Sequence, residues 1–262
     1  MTGVTSDIYL GDCLEIMQEI PTASVDMILC DLPYGTTACE WDRLLPFDKL
    51  WEQYRRLIKP AGAIVLFGSE PFATRLRSCA LDWYKYDWIW TKNRPTGFTQ
   101  AKNKPLKDYE NIMVFSPGTT VHAGQSANRM TYNPQGLTDC NIVLPNTNKF
   151  GTIVGKRPSH KEYYTQTKTG YPRMVLSGYK LEGKAVHPTQ KPVALLEYME
   201  RTYTNEGDTV LDNCMGSGST GVACLRTGRH FIGMEKDPYY FQIAKERLEQ
   251  EERAGQQVTI WY

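Results

Sequence analysis

The chain has no apolar run long enough to cross a membrane as a helix, and its first residues lack a charged-then-apolar leader pattern. Cysteine is sparse and unpaired. The seven residues (13, 30, 39, 79, 140, 214, 224) are odd in number, scattered, and never spaced as Cys-x-x-Cys. Neither a disulfide framework nor a zinc site is supported, and a reducing cytoplasm with no membrane partner is the expected setting. Repeats and low-complexity tracts are also missing. For 262 residues this leaves one large α/β domain with an inserted region or a small second domain. Net charge is nearly nil at +1, but its distribution is uneven. Residues 99–192 hold thirteen Lys and Arg against five acids, a local +8 that leaves −7 on the remainder. A basic insert on an acidic scaffold suits a polyanion, although a solvated basic loop has the same composition.

What is present is two strand-like runs that end in chemistry. The apolar run 25–30 stops abruptly at Asp31-Leu32-Pro33-Tyr34-Gly35. Ligands of open α/β sheets sit at the carboxyl ends of strands, so this corner is placed for function. The Asp31 carboxylate and the Leu32 or Pro33 carbonyl can accept hydrogen bonds, and Tyr34 offers a flat face. Together they suit an exocyclic amino group on an aromatic base. A strand running into a plain proline turn would look similar, so the corner needs a second element. Far downstream, the run 209–212 feeds Asn213-Cys214-Met215-Gly216-Ser217-Gly218-Ser219-Thr220-Gly221 and a helix expected over 222–226. Glycine lets the backbone approach a ligand and leaves amides free to bind it. The next strand, 230–235, ends at Glu235 beside Lys236, where an acid suits ribose hydroxyls.

These elements resemble an amino-group DNA methyltransferase that uses S-adenosylmethionine. That family's catalytic motif is (D/N/S)-P-P-(Y/F/W), matched here by Asp31-Leu32-Pro33-Tyr34. Its cofactor loop, roughly D-P-F-x-G-S-G-T-T, is matched from Asp212 through Gly216, Ser217, Gly218 and Ser219 to Thr220. The catalytic motif comes first, which is the permuted β-class order. A third marker, His187-Pro188-Thr189-Gln190-Lys191-Pro192, stands just ahead of the loop. The resemblance covers residues 6–115 and 184–250. It departs at Leu32 for the first proline of the catalytic motif, and at Asn213 and Cys214 for the Pro-Phe of the loop.

The resemblance implies a Rossmann-like methyltransferase: a doubly wound α/β fold with a mostly parallel sheet and an antiparallel edge strand. It implies a catalytic domain over 1–115 and 184–262, with a target-recognition insert at 116–183. It further implies double-stranded DNA as partner, S-adenosylmethionine as cofactor, and a place in restriction-modification. Asp rather than Ser at the first catalytic position points to adenine N6. The implied cofactor set is Asp12, Cys13, Asp31, Thr189, Gln190, Lys191, Asp212, Gly216, Ser217, Gly218, Ser219, Thr220, Glu235 and Lys236. Asp12 would serve equally as a helix N-cap. No metal is called for. Cytosine N4 or RNA as acceptor, and an inactive DNA-recognition module, are the competing readings; a monomer and a homodimer both stay open.

Local patterns supply the remaining elements. Helices are expected over 14–20, 47–58, 71–81, 193–203 and 238–252, and strands over 7–10, 63–68, 83–90 and 112–115. In the resembled family the last two strands are the paired edge of the sheet, joined by a loop near the target base. The resemblance therefore implies that a loop over 91–107 brings Lys92 and Arg94 toward DNA, although these could equally be solvated. It likewise makes Trp41, in the loop behind the catalytic motif, a candidate beside the base or the DNA, where an aromatic anchoring the loop to the core would look the same. Lys161, Lys168 and Arg173 of an irregular, β-rich insert are further candidates.

Overall fold

The computed structural model describes residues 3–35, 42–121, 128–145 and 163–259, with side chains as far as residue 255. Ten strands are present among them: β1 (Ser6–Leu10), β2 (Val25–Cys30), β3 (Ile58–Gly68), β4 (Tyr84–Thr96), β5 (Lys107–Phe115), β6 (Thr138–Pro145), β7 (Tyr163–Thr169), β8 (Val175–Leu176), β9 (Thr209–Asp212) and β10 (His230–Glu235). The helices are α1 (Cys13–Ile16), α2 (Phe47–Leu57), α3 (Phe72–Ser78), α4 (Val193–Tyr203), α5 (Ser219–Thr227) and α6 (Pro238–Thr259). Eight strands make the main sheet in the order β1-β10-β9-β2-β3-β5-β4-β8. β5 alone runs antiparallel to its neighbours, with β4 and β8 completing the sheet beyond it.

Burial on both faces explains why the central strands read as continuous apolar runs. Met27 and Leu29 of β2, with Ala63, Val65 and Phe67 of β3, join the core beneath α4, α5 and α6. The alternate residues Val25, Ile28 and Cys30, with Ile64 and Leu66, face the core of α1, α2 and α3. One close approach sits at the start of β3, where the register with β2 slips between Val25 and Met27. A Cβ on Gly62 would stand 2.6 Å from the Asp26 carbonyl oxygen, so the slip needs glycine there.

Several elements differ in extent from the sequence expectation. The helix expected over 14–20 is one α turn followed by a 3-10 turn over Met17–Glu19. The expected loop is shortened at its start. β4 continues to Thr96 and re-pairs with β5 at Thr96–Lys107, so Lys92 and Arg94 fall within the strand, at the break in register between Thr91 and Thr96. Tertiary pairing with β5 overrides the polar composition of this stretch. α5 starts at Ser219, so the glycine turn itself forms the helix start.

Residues 134–173 form a separate compact unit built on the antiparallel pair β6–β7. Its strands are largely exposed, and Lys168 pairs with Asp139 at 2.7 Å. Among the described residues no helix is long and apolar enough to cross a membrane, and no cluster of His, Cys, Asp and Glu is arranged to hold a metal.

Candidate active site

β1, β10, β9 and β2 are mutually parallel, so their carboxyl ends form one rim. Along it the chain delivers Asp12, Glu235, Asp212 and Asp31 in that spatial order. Between β9 and β2 the winding reverses, since β9 leads to β10 on one side and β2 to β3 on the other. Such a switch point opens a crevice, as the physics of right-handed crossovers requires. A cleft of about 760 Å³ lies there, lined by the early acid-proline-tyrosine corner, the hexapeptide at 187–192 and the late glycine turn. The two distant stretches of sequence thus meet on one side of one sheet.

At the early corner, Asp31 directly follows β2 and both of its oxygens are engaged. Oδ1 accepts from the Tyr34 hydroxyl at 2.7 Å, and Oδ2 accepts from the Lys191 ammonium. Burial pushes the Asp31 carboxyl above the usual carboxylate range; Lys191 opposes this, and the Glu110 charge adds to it. Tyr34 stacks on Phe72 with ring centroids 4.6 Å apart, a contact worth about 0.5–1.5 kcal/mol beyond burial. Leu32 turns its side chain into the core, where it is 3% exposed. Its replacement of proline therefore fills the α1–α3 side of the sheet and leaves the Asp31 and Tyr34 side chains in the cleft.

The late corner is held from beneath. Asp212 Oδ1 accepts from the Cys214 amide at 3.1 Å and Oδ2 from the Thr220 hydroxyl at 2.6 Å, which shapes the turn. Burial pushes the Asp212 carboxyl up to about 6. Glu235 Oε2 accepts from the Gly216 amide at 2.9 Å and Oε1 from the Asp237 amide at 2.7 Å. Gly216 adopts φ +52°, a left-handed conformation that favours glycine, and a Cβ there would lie in van der Waals contact with the His187 ring, 3.6 Å from Nε2. Ser219, Thr220 and Gly221 form the first turn of α5, whose amides have no acceptor within the helix. The side chains of Ser217, Ser219 and Thr220 are buried beneath the turn, so what it offers the cleft is backbone.

Asp12 acts as the helix N-cap, with Oδ1 accepting from the Leu14 amide 3.0 Å away, while Oδ2 pairs with Lys236 at 3.0 Å. Cys13 is buried beside it. In the hexapeptide, the Thr189 amide donates to His187 Nδ1 at 3.2 Å and Gln190 Oε1 accepts from the Val186 amide at 2.9 Å. This folded turn aims Lys191 inward, where its side chain is only 9% exposed. Burial, with the nearby Lys191 charge, pushes the His187 imidazole down to about 4, so it is neutral at pH 7.

Not all expected residues gather here. Lys92 ion-pairs with Glu110 rather than standing free on a loop. Arg94 is exposed on β4, while Lys168 and Arg173 belong to the separate unit. Trp41 and Lys161 lie outside the described residues. Three contributors are invisible to motif reading. Glu110 arrives from mid-β5. Arg247 reaches from α6 to the Ser217 carbonyl at 2.5 Å. Tyr54 of α2 donates to Asn213 Oδ1 at 2.6 Å. The only local signal was for Glu110, an acid set against the apolar run 112–115.

A parallel sheet with acids at successive strand ends and a glycine turn over a 760 Å³ crevice defines an α/β enzyme that binds a nucleotide-like cofactor. Comparison with known proteins narrows that class. The N6/N4 DNA methylase family profile matches residues 25–246, and the chain belongs to that family. It is 28% identical to the type II methyltransferase M.HinfI of Haemophilus influenzae, over 92% of this chain and 67% of that one. It is 26% identical to M.HpaI of Haemophilus parainfluenzae, over 93% of this chain and 74% of the other. Among solved structures, the M1.HpyAVI–SAM complex aligns with TM-score 0.61 and 28% identity, covering 93% of this chain and all of that one. The cytosine-N4-specific PvuII methyltransferase aligns with TM-score 0.67 at 16% identity, covering 94% and 87%, a likeness of fold. The protein is thus an S-adenosylmethionine-dependent DNA methyltransferase of the N6/N4 type with a Rossmann-like fold.

Proposed function

We propose that this enzyme methylates the exocyclic N6 of adenine in double-stranded DNA, on a nucleotide swung out of the duplex. The observation that carries the reading is that Asp31, Tyr34 and the glycine turn open onto one cleft. Asp31 at the first catalytic position, rather than serine, favours adenine over cytosine. The names of the type II relatives support a role in restriction-modification.

The cleft fits the cofactor in size and donor set, with an acid at the end of β10, the Gly216 turn along its lining and first-turn amides at α5. Bound S-adenosylmethionine supplies a methyl group on a positively charged sulfur, electrophilic enough for direct capture by a nitrogen lone pair. In this reading Asp12, Cys13, Glu235 and Lys236 border its nucleoside. The backbone from Gly216 to Thr220 runs along its middle, and Thr189, Gln190 and Lys191 border its amino-acid end. Asp212 acts by holding the turn in shape.

An aryl amine is a poor nucleophile because its lone pair is delocalised into the ring. Asp31 and the Leu32 or Pro33 carbonyl accept its two hydrogens, draw the nitrogen toward tetrahedral geometry and free the lone pair. The Asp31 carboxylate then holds the proton that the methylated nitrogen loses. Positioning and fixed dipoles supply most of the acceleration. Extruding the nucleotide costs a few kcal/mol, and stacking on Tyr34 returns about 1–3 kcal/mol. Arg94 supplies a phosphate contact, and the insert at 116–183, with Lys168 and Arg173, reads the target. Lys92 is left out of that set because its partner Glu110 is buried and holds the ammonium inward, whereas Asp139, the partner of Lys168, is exposed.

Sequencing of DNA from cells expressing the protein tests the reading, and N6-methyladenine at one recurrent site is expected. N4-methylcytosine would transfer the reading to cytosine, and unmodified DNA would defeat it. Asp31→Ala is expected to abolish methyl transfer while calorimetry still detects cofactor binding; unchanged turnover would discard the mechanism.

A further inference from the structure

The reading above gives no role to Glu110 or to the bond that Lys191 makes with Asp31. The Lys191 ammonium donates to Asp31 Oδ2, lies 3.4 Å from Glu110 Oε2 and 3.5 Å from the Thr189 carbonyl oxygen, and sits 5.1 Å over the Phe67 ring. Glu110, 7% exposed at its side chain, gives its other oxygen to the Lys92 ammonium. Glu110 Oε2 itself is buried and accepts no hydrogen bond. A buried acceptor held only by a long ion pair is poorly satisfied, and such an atom calls for an explanation. Lys191 therefore stands between two carboxylates, hydrogen-bonded to one and in a longer ion pair, 3.4 Å, with the other.

This position has a consequence for Asp31. With Tyr34 on Oδ1 and an ammonium on Oδ2, Asp31 is a neutralised ion pair. An ammonium is a far stronger competitor for a carboxylate lone pair than the N–H of an aryl amine. While Lys191 stays, Asp31 polarises the acceptor nitrogen weakly.

We propose that Lys191 is a two-position cation and that Glu110 is the positioning residue that receives it, so that Asp31 is released to the substrate amine. The inference rests on the reading of Asp31 as the amine acceptor. Glu110 Oε2 gains the hydrogen bond it lacks, and the cluster keeps two anions and two cations throughout. Only the place of one ammonium changes, by a rotation of its own flexible stem. Lys92 remains on the other Glu110 oxygen and keeps that carboxylate ionised; although burial raises Glu110, Lys191, Lys92 and Lys107 together hold it below the usual carboxylate range.

The test uses the full-length enzyme, tritiated S-adenosylmethionine and DNA from a host without methyltransferases. Glu110→Gln keeps the shape and removes the charge. Its kcat is expected to fall about ten- to hundredfold, the loss of one charge-assisted hydrogen bond, with both KM values within about threefold. Glu110→Asp is expected to recover part of the rate. In a Lys191→Gln background, Glu110→Gln is expected to cost less than about threefold, because the two act through one contact. Losses that simply add across the two sites would assign Glu110 a structural role and overturn the proposal. Asp31→Asn is run alongside: unchanged turnover there would defeat the reading of Asp31, whereas loss there with an unchanged Glu110→Gln would defeat the hand-off alone. Should Glu110→Gln fail to fold, a crystal structure of the wild-type enzyme with S-adenosylhomocysteine and its methylatable duplex decides. Lys191 Nζ is expected within about 3 Å of Glu110 Oε2; an ammonium still on Asp31 would overturn the proposal.

Discussion

At the scale of single residues, the four letters at 31–34 foretold more than a turn, yet not which atoms hold which. From sequence, Tyr34 is a ring face whose hydroxyl matters little. In the structure that hydroxyl donates to Asp31 Oδ1 at 2.7 Å, and one face of the ring is covered by Phe72. Turnover is therefore expected to fall modestly in Tyr34→Phe, by about tenfold for one hydrogen bond to a charged group. Tyr34→Ala is expected to fall much further, because stacking is lost as well. Steady-state assays on both variants check the order, and a Phe variant as poor as Ala would refute stacking. The hexapeptide, through the family resemblance, implied a Lys191 facing the cofactor. Its bond to Asp31, 160 positions away, depends on the fold.

At the scale of elements, the glycine turn was readable and its support was not. Residues 209–226 announced a strand, a turn and a helix through their glycines and apolar run. Nothing in α6 announced that Arg247 would clamp that turn, donating to the Ser217 carbonyl at 2.5 Å and to the Ser217 and Ser219 hydroxyls at 3.1 Å each. An arginine on an amphipathic helix reads as solvent-facing. Burial lowers its pKa without depriving it of charge, since guanidinium stays protonated in proteins. Arg247→Met is expected to weaken S-adenosylhomocysteine binding roughly tenfold by calorimetry, with Arg247→Lys intermediate. Unchanged affinity would show that the turn holds its shape alone. The extension of β4 to Thr96 belongs to the same scale: Thr91 pairs with Tyr109 and Thr96 with Lys107 because β5 lies alongside.

At the scale of the whole molecule, stability and pH are linked through groups buried between layers. Glu200 of α4 faces α5, accepting from the Thr227 hydroxyl at 2.8 Å and from the Cys224 thiol at 3.3 Å. Burial pushes its carboxyl up to about 8. Between its unfolded value near 4.5 and about 8, the folded state holds a proton that the unfolded chain does not. Stability from this group is thus fully present below that window and lost as pH rises through it. Glu200→Gln is expected to flatten the decline of melting temperature between pH 5 and 8.5. Its relative gain at the alkaline end is on the order of a few kcal/mol. Parallel slopes for variant and wild type would remove Glu200 as the cause.

The sequence by itself determined the strand and helix runs, the two corners and the family order, because hydrophobic period, proline and glycine act locally. It left Glu110, Arg247 and the pairing of Lys191 open, since a charge buried far from its partner in the chain has no local signature. Only the tertiary structure decided those. Parallel pairing of β2 with β9 sets Asp31 and Asp212 on one rim, and β5 brings Glu110 to the back of the same cleft. There desolvation turns scattered charges into one coupled cluster.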